Sequence, residues 1–401
     1  MPSLAHTTLV IANPAQKRTI WRNMYQQWEK PKGCTWEVSL ERNFSLLKTE
    51  KADCAVMGKQ ECEEYFKMQD GMETLRRDAK VLQEGQVKDV TSYVLTAVVT
   101  PPHHRKKGYA THMLSLLHYA LALPLPATPS FPEDDYGPPP AAEHSPRDAT
   151  FSTLWSDVGR DFYRSIRIGR GERSREGWVV GADREVRYEL PPSNGEENGS
   201  TALPQGWRSF PSVSDIPSEL LDTLSLRTLI TARGDTSAKT LAYDAPTSPG
   251  ILDFTIARAV RFTPAKVLER NEGAIQHVYI NETTVPPSLI VLAPTYTPNE
   301  PHTLKISYLS LTPPVAEEET AQQYADLFTI LYSRARMYSC TQVEGWQLPQ
   351  PLIDAWEEWT RDNGGKLVSH VRDEHLGALA WYGEGPGEEV AMVGGQFYAW
   401  A

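Results

Sequence analysis

The stretch Val98-Val99-Thr100-Pro101-Pro102-His103-His104-Arg105-Lys106-Lys107-Gly108-Tyr109-Ala110-Thr111 decides how this chain is read. Ser92 to Thr100 (SYVLTAVVT) is rich in β-branched residues and predicts a strand. Pro101 and Pro102 end it, because proline brings no N–H to a ladder. Thr111 to Leu123 follows as a mostly buried helix, with Met113, Leu117 and Ala120 or Leu121 on one face, and Pro124 stops it. Between strand and helix lies a tight basic turn. A diphosphate needs inward-facing N–H groups and a positive field, and a basic turn feeding a helix N-terminus supplies both. Gly108 allows the backbone to turn sharply and approach oxygen without a Cβ clash. Ala110 keeps the helix start thin, so first-turn amides without intrahelical partners can face the phosphates. Taken alone, R-x-x-G-x-A also fits a solvated loop before a helix. The flanking strand and apolar helix favour the phosphate reading.

Composition narrows the classes. The chain has 401 residues, 40% of them hydrophobic, which predicts two compact units. No run approaches the roughly 18 apolar residues of a membrane helix, and the first residues lack the apolar core of a secretory signal. Cys34, Cys54, Cys62 and Cys340 are scattered with no CxxC pair. That predicts neither a structural metal nor a disulfide framework, but free thiols in a reducing compartment, hence a cytoplasmic protein. The net charge of −11 is uneven: residues 1–170 carry +2 and the remainder −13. An acidic half disfavours nucleic acid and suits either cationic partners or a solvated surface.

Other elements flank this core. Thr7 to Ala12 predicts a short strand, and Asn13-Pro14 a capped helix running to about Gln27, with Ile20, Met24 and Trp28 at spacing four. The charged residues 71–84 predict a helix. Residues 124–149, proline-rich and acidic, predict a mobile insertion. Phe151 to Trp155 predicts a strand, and Asp157 to Ile168 a short helix capped by Ser156 or Asp157. Trp178 to Leu190 suggests a hairpin. Residues 191–214 are linker-like, which sets expected domains at 1–190 and 215–401. In the second, Val278 to Ile280, Leu289 to Leu292 and Leu304 to Leu311 predict strands. Glu317 to Met337 predicts a long helix through Tyr324, Phe328, Leu331 and Ala335, and Leu352, Trp356 and Trp359 mark another. The tail Gln396 to Trp400 reads as a final strand. No internal sequence repeat is evident.

On these residues a resemblance can be stated. Pro102, Arg105, Gly108 and Ala110 fall on the places of the pyrophosphate motif of the GNAT superfamily, the acetyl-coenzyme-A-dependent N-acetyltransferases. A second block, Thr153-Leu154-Trp155-Ser156-Asp157-Val158-Gly159-Arg160-Asp161-Phe162-Tyr163, resembles the family's later strand and helix ending in tyrosine. Arg167-Ile168 stands where Gly-aromatic is common, a departure that bears on the helix exit. The strings TPPHHRKKGYATHML and LWSDVGRDFYRSI resemble more closely the fungal lysine N6-acetyltransferases of lysine catabolism.

The resemblance implies an α/β (α+β) GNAT fold: a splayed mixed sheet flanked by helices, joined to a C-terminal α+β domain. The order strand, strand, long helix in both halves suggests that this domain is a degenerate GNAT-like copy. The resemblance also implies acetyl-CoA as cosubstrate, held by Val98, Val99, Thr100, Arg105, Lys106, Lys107, Gly108, Tyr109, Ala110 and Thr111, with no metal. A backbone N–H near Val98 would polarise the acetyl carbonyl. Tyr163 would protonate the departing sulfur, or pack its ring in the core. Asp157, at the substrate entrance, is the candidate base or merely a helix cap. His103 and His104 flank the donor loop as surface residues. The acceptor is a small-molecule amine, most closely free L-lysine, over which the acidic C-terminal unit could close. A protein-lysine or polyamine acetyltransferase, and a non-catalytic coenzyme-A-binding module, remain open. Nothing in the sequence sets the oligomeric state.

Overall fold

The computed structural model describes residues 4, 7–31, 35–37, 51–59, 71–125, 131–169, 174–181, 184–192, 202–246, 250–271, 275–312 and 317–400, with only the backbone of 51–59. The architecture is mixed α/β. Its strands are β1 (Thr7–Ile11), β2 (Lys51–Lys59), β3 (Gly71–Gln83), β4 (Gln86–Val99), β5 (Ala149–Ser156), β6 (Val179–Val180), β7 (Arg184–Glu189), β8 (Trp207–Phe210), β9 (Thr240–Asp244), β10 (Val278–Asn281), β11 (Ser288–Thr295), β12 (Thr303–Ser310), β13 (Gln342–Trp346), β14 (Lys366–Val371), β15 (Leu376–Trp381) and β16 (Val390–Val393). The principal helices are α1 (Pro14–Met24), α2 (Tyr109–Leu121), α3 (Asp161–Ser165), α4 (Ser218–Asp235), α5 (Ile251–Phe262), α6 (Glu317–Met337) and α7 (Gln350–Asn363).

The strands form two sheets. The first runs β1-β2-β3-β4-β5-β15-β6, with β9 also on β3 and β16 on β9; the second runs β8-β10-β11-β12-β13-β7-β14. The two orders repeat one pattern. In each, the fourth and fifth strands are parallel and every other neighbouring pair along the path is antiparallel. A helix crosses between the parallel strands, α2 in the first and α6 in the second. A parallel pair needs such a crossover. Each sheet takes its sixth strand from the other half of the chain: β15 enters the first and β7 the second. The second sheet is therefore a structural copy of the first, with one strand exchanged reciprocally.

Local chemistry explains the elements. Asn13 Oδ1 accepts from the Ala15 and Gln16 amides, both at 3.0 Å, and Gln16 Oε1 accepts from Asn13 N at 2.8 Å, a capping box that starts α1. Ile20 and Met24 are buried beneath it, and a π-helical turn carries it on to Glu29. In α6, Phe328, Leu331 and Ala335 are buried as their spacing predicts.

Four expectations are corrected. Residues 71–84 are not helical. Gly71–Gln83 pairs with β4 across a two-residue turn at Glu84 (φ 52°) and Gly85 (φ 77°). The charges that suggested a helix surface have partners in the tertiary structure: Arg76 with Asp148 at 3.1 Å, Arg77 with the Ala399 carbonyl at 2.8 Å, and Lys80 with Asp89 at 2.7 Å. Trp178 to Leu190 is no hairpin, because β6 and β7 lie in different sheets. The helix expected over Asp157 to Ile168 covers only Asp161–Ser165, since Ser156 caps a turn instead, accepting from Val158 N at 3.2 Å and donating to Gly159 O at 2.7 Å. The aromatic tail is a buried 3-10 turn, Phe397–Ala399, packed between the sheets and bonded through Tyr398 to the Asp244 carbonyl. Of the insertion at 124–149, residues 131–148 lie against α2. Phe131 packs on Tyr119 and Tyr136 on His112, and the Arg147 guanidinium covers the Tyr119 ring.

Candidate active site

The parallel strands β4 and β5 pair from Thr91–Ala149 only as far as Leu95–Leu154. Beyond that rung Thr96–Val99 and Trp155–Ser156 diverge, which opens a cleft in the first sheet. A bulge accompanies the divergence. Gly71 pairs with Val99 and Glu73 with Thr96, so β4 carries one extra residue there, and Ala97 takes a left-handed backbone (φ 58°). Bulges of this kind re-aim the strand and end its pairing. Val98 is half-buried at the cleft and Val99 is buried.

The chain then enters the basic turn. Pro101 is buried and Pro102–His104 make one 3-10 turn. Arg105 is fixed at both ends, donating to Thr100 O at 3.0 Å and to Gln27 Oε1 at 2.7 Å. Lys106 (φ 62°) and Gly108 (φ 87°) are both left-handed, and the helix begins at Tyr109 with no side chain capping it. The first helical bond runs from His112 N to Gly108 O at 3.0 Å, so the Tyr109, Ala110 and Thr111 amides precede the intrahelical ladder. Arg105, Lys106 and Lys107 are exposed beside them. An uncapped helix start carries a partial positive charge. Together with three cations it fits the diphosphate of a coenzyme A donor. The residues expected at the donor site, Val98 to Thr111, are thus brought together. His103 and His104 meet edge to face at the edge of the turn, with ring centroids 4.2 Å apart.

Tyr163 lies in α3, packed against Phe162 and Trp178. Burial, and next the charge of Asp157, push its phenol above its ordinary value, so it keeps its proton. Its helix exit is held by a buried chain of hydrogen bonds. His118 Nε2 faces the Ile166 carbonyl at 3.0 Å, and a carbonyl only accepts, so Nε2 carries the hydrogen. Nδ1 therefore accepts from Tyr382 Oη (2.9 Å), which accepts from Ser152 Oγ (2.7 Å), which accepts from Trp178 Nε1 (2.9 Å). Burial drives His118 down to about 3 against the weaker pull of that carbonyl, so it is neutral. This chain ties α2, β5 and the exchanged strand β15 to the segment bearing Tyr163.

Asp157 is not a helix cap. Its Oδ1 stands 2.6 Å from His375 Nδ1 and accepts the His375 backbone N–H at 3.2 Å. His375 lines a cavity of about 460 Å3 on the face of the second sheet. The cavity is rich in paired charge. Glu185 meets Arg187 at 2.6 Å, and Glu344 binds Lys305 and, at 2.8 Å, Trp346 Nε1. Arg372 sits 3.9 Å over the Trp346 ring, and Glu29 reaches the cavity from the end of α1. Sequence reasoning missed all of these. They lie on short strands, a loop and the end of α1, drawn from both halves of the chain and carrying no motif, and only the fold gathers them. Among the described residues, no group of three or more His, Cys, Asp or Glu could hold a metal ion, and no helix is long and apolar enough to cross a membrane.

The second sheet keeps the same device in altered form. β12 and β13 pair only to Ile306–Gly345, and β12 bulges by one residue at Ser307. There the opening is filled: the Gln396 side chain accepts from Leu309 N at 2.7 Å and donates to Leu309 O at 3.0 Å, as a strand would. The segment after this strand reads Thr312-Pro313-Pro314 and then Glu317-Glu318-Glu319, where the first sheet has Thr100-Pro101-Pro102 and Arg105-Lys106-Lys107. Acidic residues at that helix start oppose an anion.

The chain is similar to several known proteins. The family model described as the LYC1 GNAT-like C-terminal domain matches residues 221–401. A lysine acetyltransferase of Yarrowia lipolytica (strain CLIB 122 / E 150) is 30% identical over 133 residues, which is 33% of this chain and 30% of that protein. The match thus spans less than a third of that relative's length. Among solved structures, a GCN5-related N-acetyltransferase from Anabaena variabilis ATCC 29413 is 12% identical, covers 94% of this chain and 73% of that one, and has a TM-score of 0.48. A probable N-acyltransferase from Enterococcus faecalis V583 is 10% identical over the same shares, with a TM-score of 0.47. In these matched residues the chain is similar to GNAT acetyltransferases.

Proposed function

We propose that this chain transfers an acetyl group from acetyl-CoA to a primary amine, most specifically the side-chain amine of free L-lysine. The observation that carries the reading is the parted pair β4 and β5, which opens beside an uncapped, basic helix start. The Tyr109 to Thr111 amides, with Arg105, Lys106 and Lys107, would hold the diphosphate. The unpaired edge of β4 at Val98 to Thr100 would pair with the pantetheine arm. An N–H at the bulge would face the acetyl oxygen as charge develops there. Tyr163, kept protonated, would give its proton to the leaving sulfur. The reaction needs no metal in this scheme, and none is proposed.

Two features support a free amino acid as acceptor. The cavity beside Asp157 sets carboxylates and cations close together, which suits a zwitterion. The Yarrowia relative bears the name lysine acetyltransferase. The same reading places the enzyme in the cytoplasm and in lysine catabolism, where a buried thiol such as Cys340 stays reduced.

The test is acetyl-CoA turnover, followed by free thiol, with L-lysine, a lysine-rich peptide, spermidine or no amine. Turnover on L-lysine alone is expected. Preference for peptide or spermidine would replace the substrate, and acetyl-CoA binding without turnover on any amine would leave a coenzyme-A-binding module.

A further inference from the structure

Ser156 and Leu376 are paired partners, so Asp157 and His375 stand just past the last rung of β5 and β15. That is the end of β5 that has already parted from β4. Histidine at this place is held from several sides. Its Nδ1 lies 2.6 Å from Asp157 Oδ1, at ion-pair distance though out of hydrogen-bond alignment. Arg372 Nη1 donates to its carbonyl at 2.6 Å. The ring stacks on Trp346 and lies against Trp400, with centroids 6.1 and 5.1 Å away. Its backbone is left-handed (φ 51°), a conformation non-glycine residues keep where their surroundings over-determine it. The side chain is nevertheless 36% exposed and lines the cavity.

Two of the cavity's carboxylates are held by cations. Glu185 is paired with Arg187. Burial alone would raise the Glu344 carboxyl, but Lys305, Trp346 and Arg187 hold it below its ordinary value, which makes it a poor proton acceptor. The charged groups around the imidazole are Asp157 from β5, Arg372, Asp373 and Glu374 from its own loop, Arg258 of α5 over the Trp400 ring and Lys305 of β12 over the Trp346 ring.

We propose that His375, oriented by Asp157, is the general base that removes a proton from the acceptor ammonium. The proposal rests on the acetyl-transfer reading above. With Asp157 at Nδ1, His375 presents Nε2 to the acceptor. Nε2 takes one proton, and the freed nitrogen lone pair forms the C–N bond to the acetyl carbonyl carbon as the C–S bond breaks. Of the two protons the nitrogen sheds, one ends on the coenzyme A sulfur and one passes from His375 to solvent.

The test compares full-length wild type, His375→Gln and Asp157→Asn, reading acetyl-CoA affinity by calorimetry and kcat/KM on L-lysine between about pH 6 and pH 10. His375→Gln is expected to bind acetyl-CoA within about twofold of wild type and to lose about 100-fold in kcat/KM at pH 7. The deficit should narrow toward pH 10, as a growing share of a lysine-type amine, whose pKa is about 10.4, loses its proton in solution. Asp157→Asn should show a smaller loss with the same pH dependence. An unchanged kcat/KM, or a loss equal at every pH, overturns the proposal. If His375→Gln fails to bind acetyl-CoA, Asp157→Asn decides by the same pH criterion. A wild type inert on every amine would instead remove the acetyl-transfer reading on which the proposal stands.

Discussion

Gly108 and Tyr163 show how differently single residues can be read. At φ 87° Gly108 holds a conformation that costs other residues roughly 1–2 kcal/mol, and its place one residue before an uncapped helix makes any added side chain a neighbour of the anion. Gly108→Glu is expected to weaken acetyl-CoA binding at least about 100-fold by calorimetry, since it adds a carboxylate where the helix dipole favours an external anion. Near-wild-type affinity would mean that the diphosphate does not sit at this turn. The basic turn alone also fits a solvated loop, and it is the flanking strand and apolar helix that favour the phosphate reading of this position. Tyr163 was legible only through the resemblance, and its packing on Phe162 and Trp178 would suit a core tyrosine equally well. Tyr163→Phe separates the two roles: loss of an acid should lower kcat on the order of 10–100-fold while acetyl-CoA affinity holds. A fall in thermal stability with kcat intact would assign the ring to packing.

Elements are coupled here by buried polar chains. The run from Trp178 through Ser152, Tyr382 and His118 to the Ile166 carbonyl joins two helices and two strands. It has a consequence for acid stability. His118 titrates near 3 in the folded chain and near 6.5 when unfolded, so the unfolded state takes up the proton first. Stability linked to this histidine is complete above about pH 6.5 and falls as pH drops toward 3, by up to about 1.4 kcal/mol per pH unit. Denaturant melts at pH 7 and pH 5 should show that loss in wild type and a shallower one in His118→Gln, which keeps a donor and an acceptor but cannot charge. Identical pH slopes would point to another group. None of this chain could be read from spacing, because its members are 26 to 264 residues apart. The helix expected over 71–84 failed for a related reason. The charges of β3 are paid for by partners elsewhere in the chain, and local pattern cannot show those partners.

At the scale of the molecule the exchange of β7 and β15 governs how the protein can be divided. A cut near residue 214 leaves the first sheet without β15, β9 and β16 and strands β7 without its sheet. Residues 1–214 expressed alone should therefore lack a cooperative thermal transition, because the edge of β5 is exposed and unpaired. A sharp melt with dispersed amide signals would show that the halves fold independently. The exchange also places the cavity, since His375 reaches Asp157 only because β15 pairs with β5. Among the described residues the pattern occurs twice, and in the second sheet its opening is filled by Gln396.

The sequence by itself determined the strand and helix that flank the basic turn at Arg105 to Gly108, and the long helix Glu317–Met337. Each of these is written locally, in proline and glycine punctuation, basic residues and apolar period. Only the tertiary structure decided that the second half repeats the first, that a strand passes each way between them, and that His375 meets Asp157. A sheet records strand order and direction, which different side chains satisfy equally well. The repeat is therefore visible in strand order and hydrogen-bond geometry where the residues themselves show none.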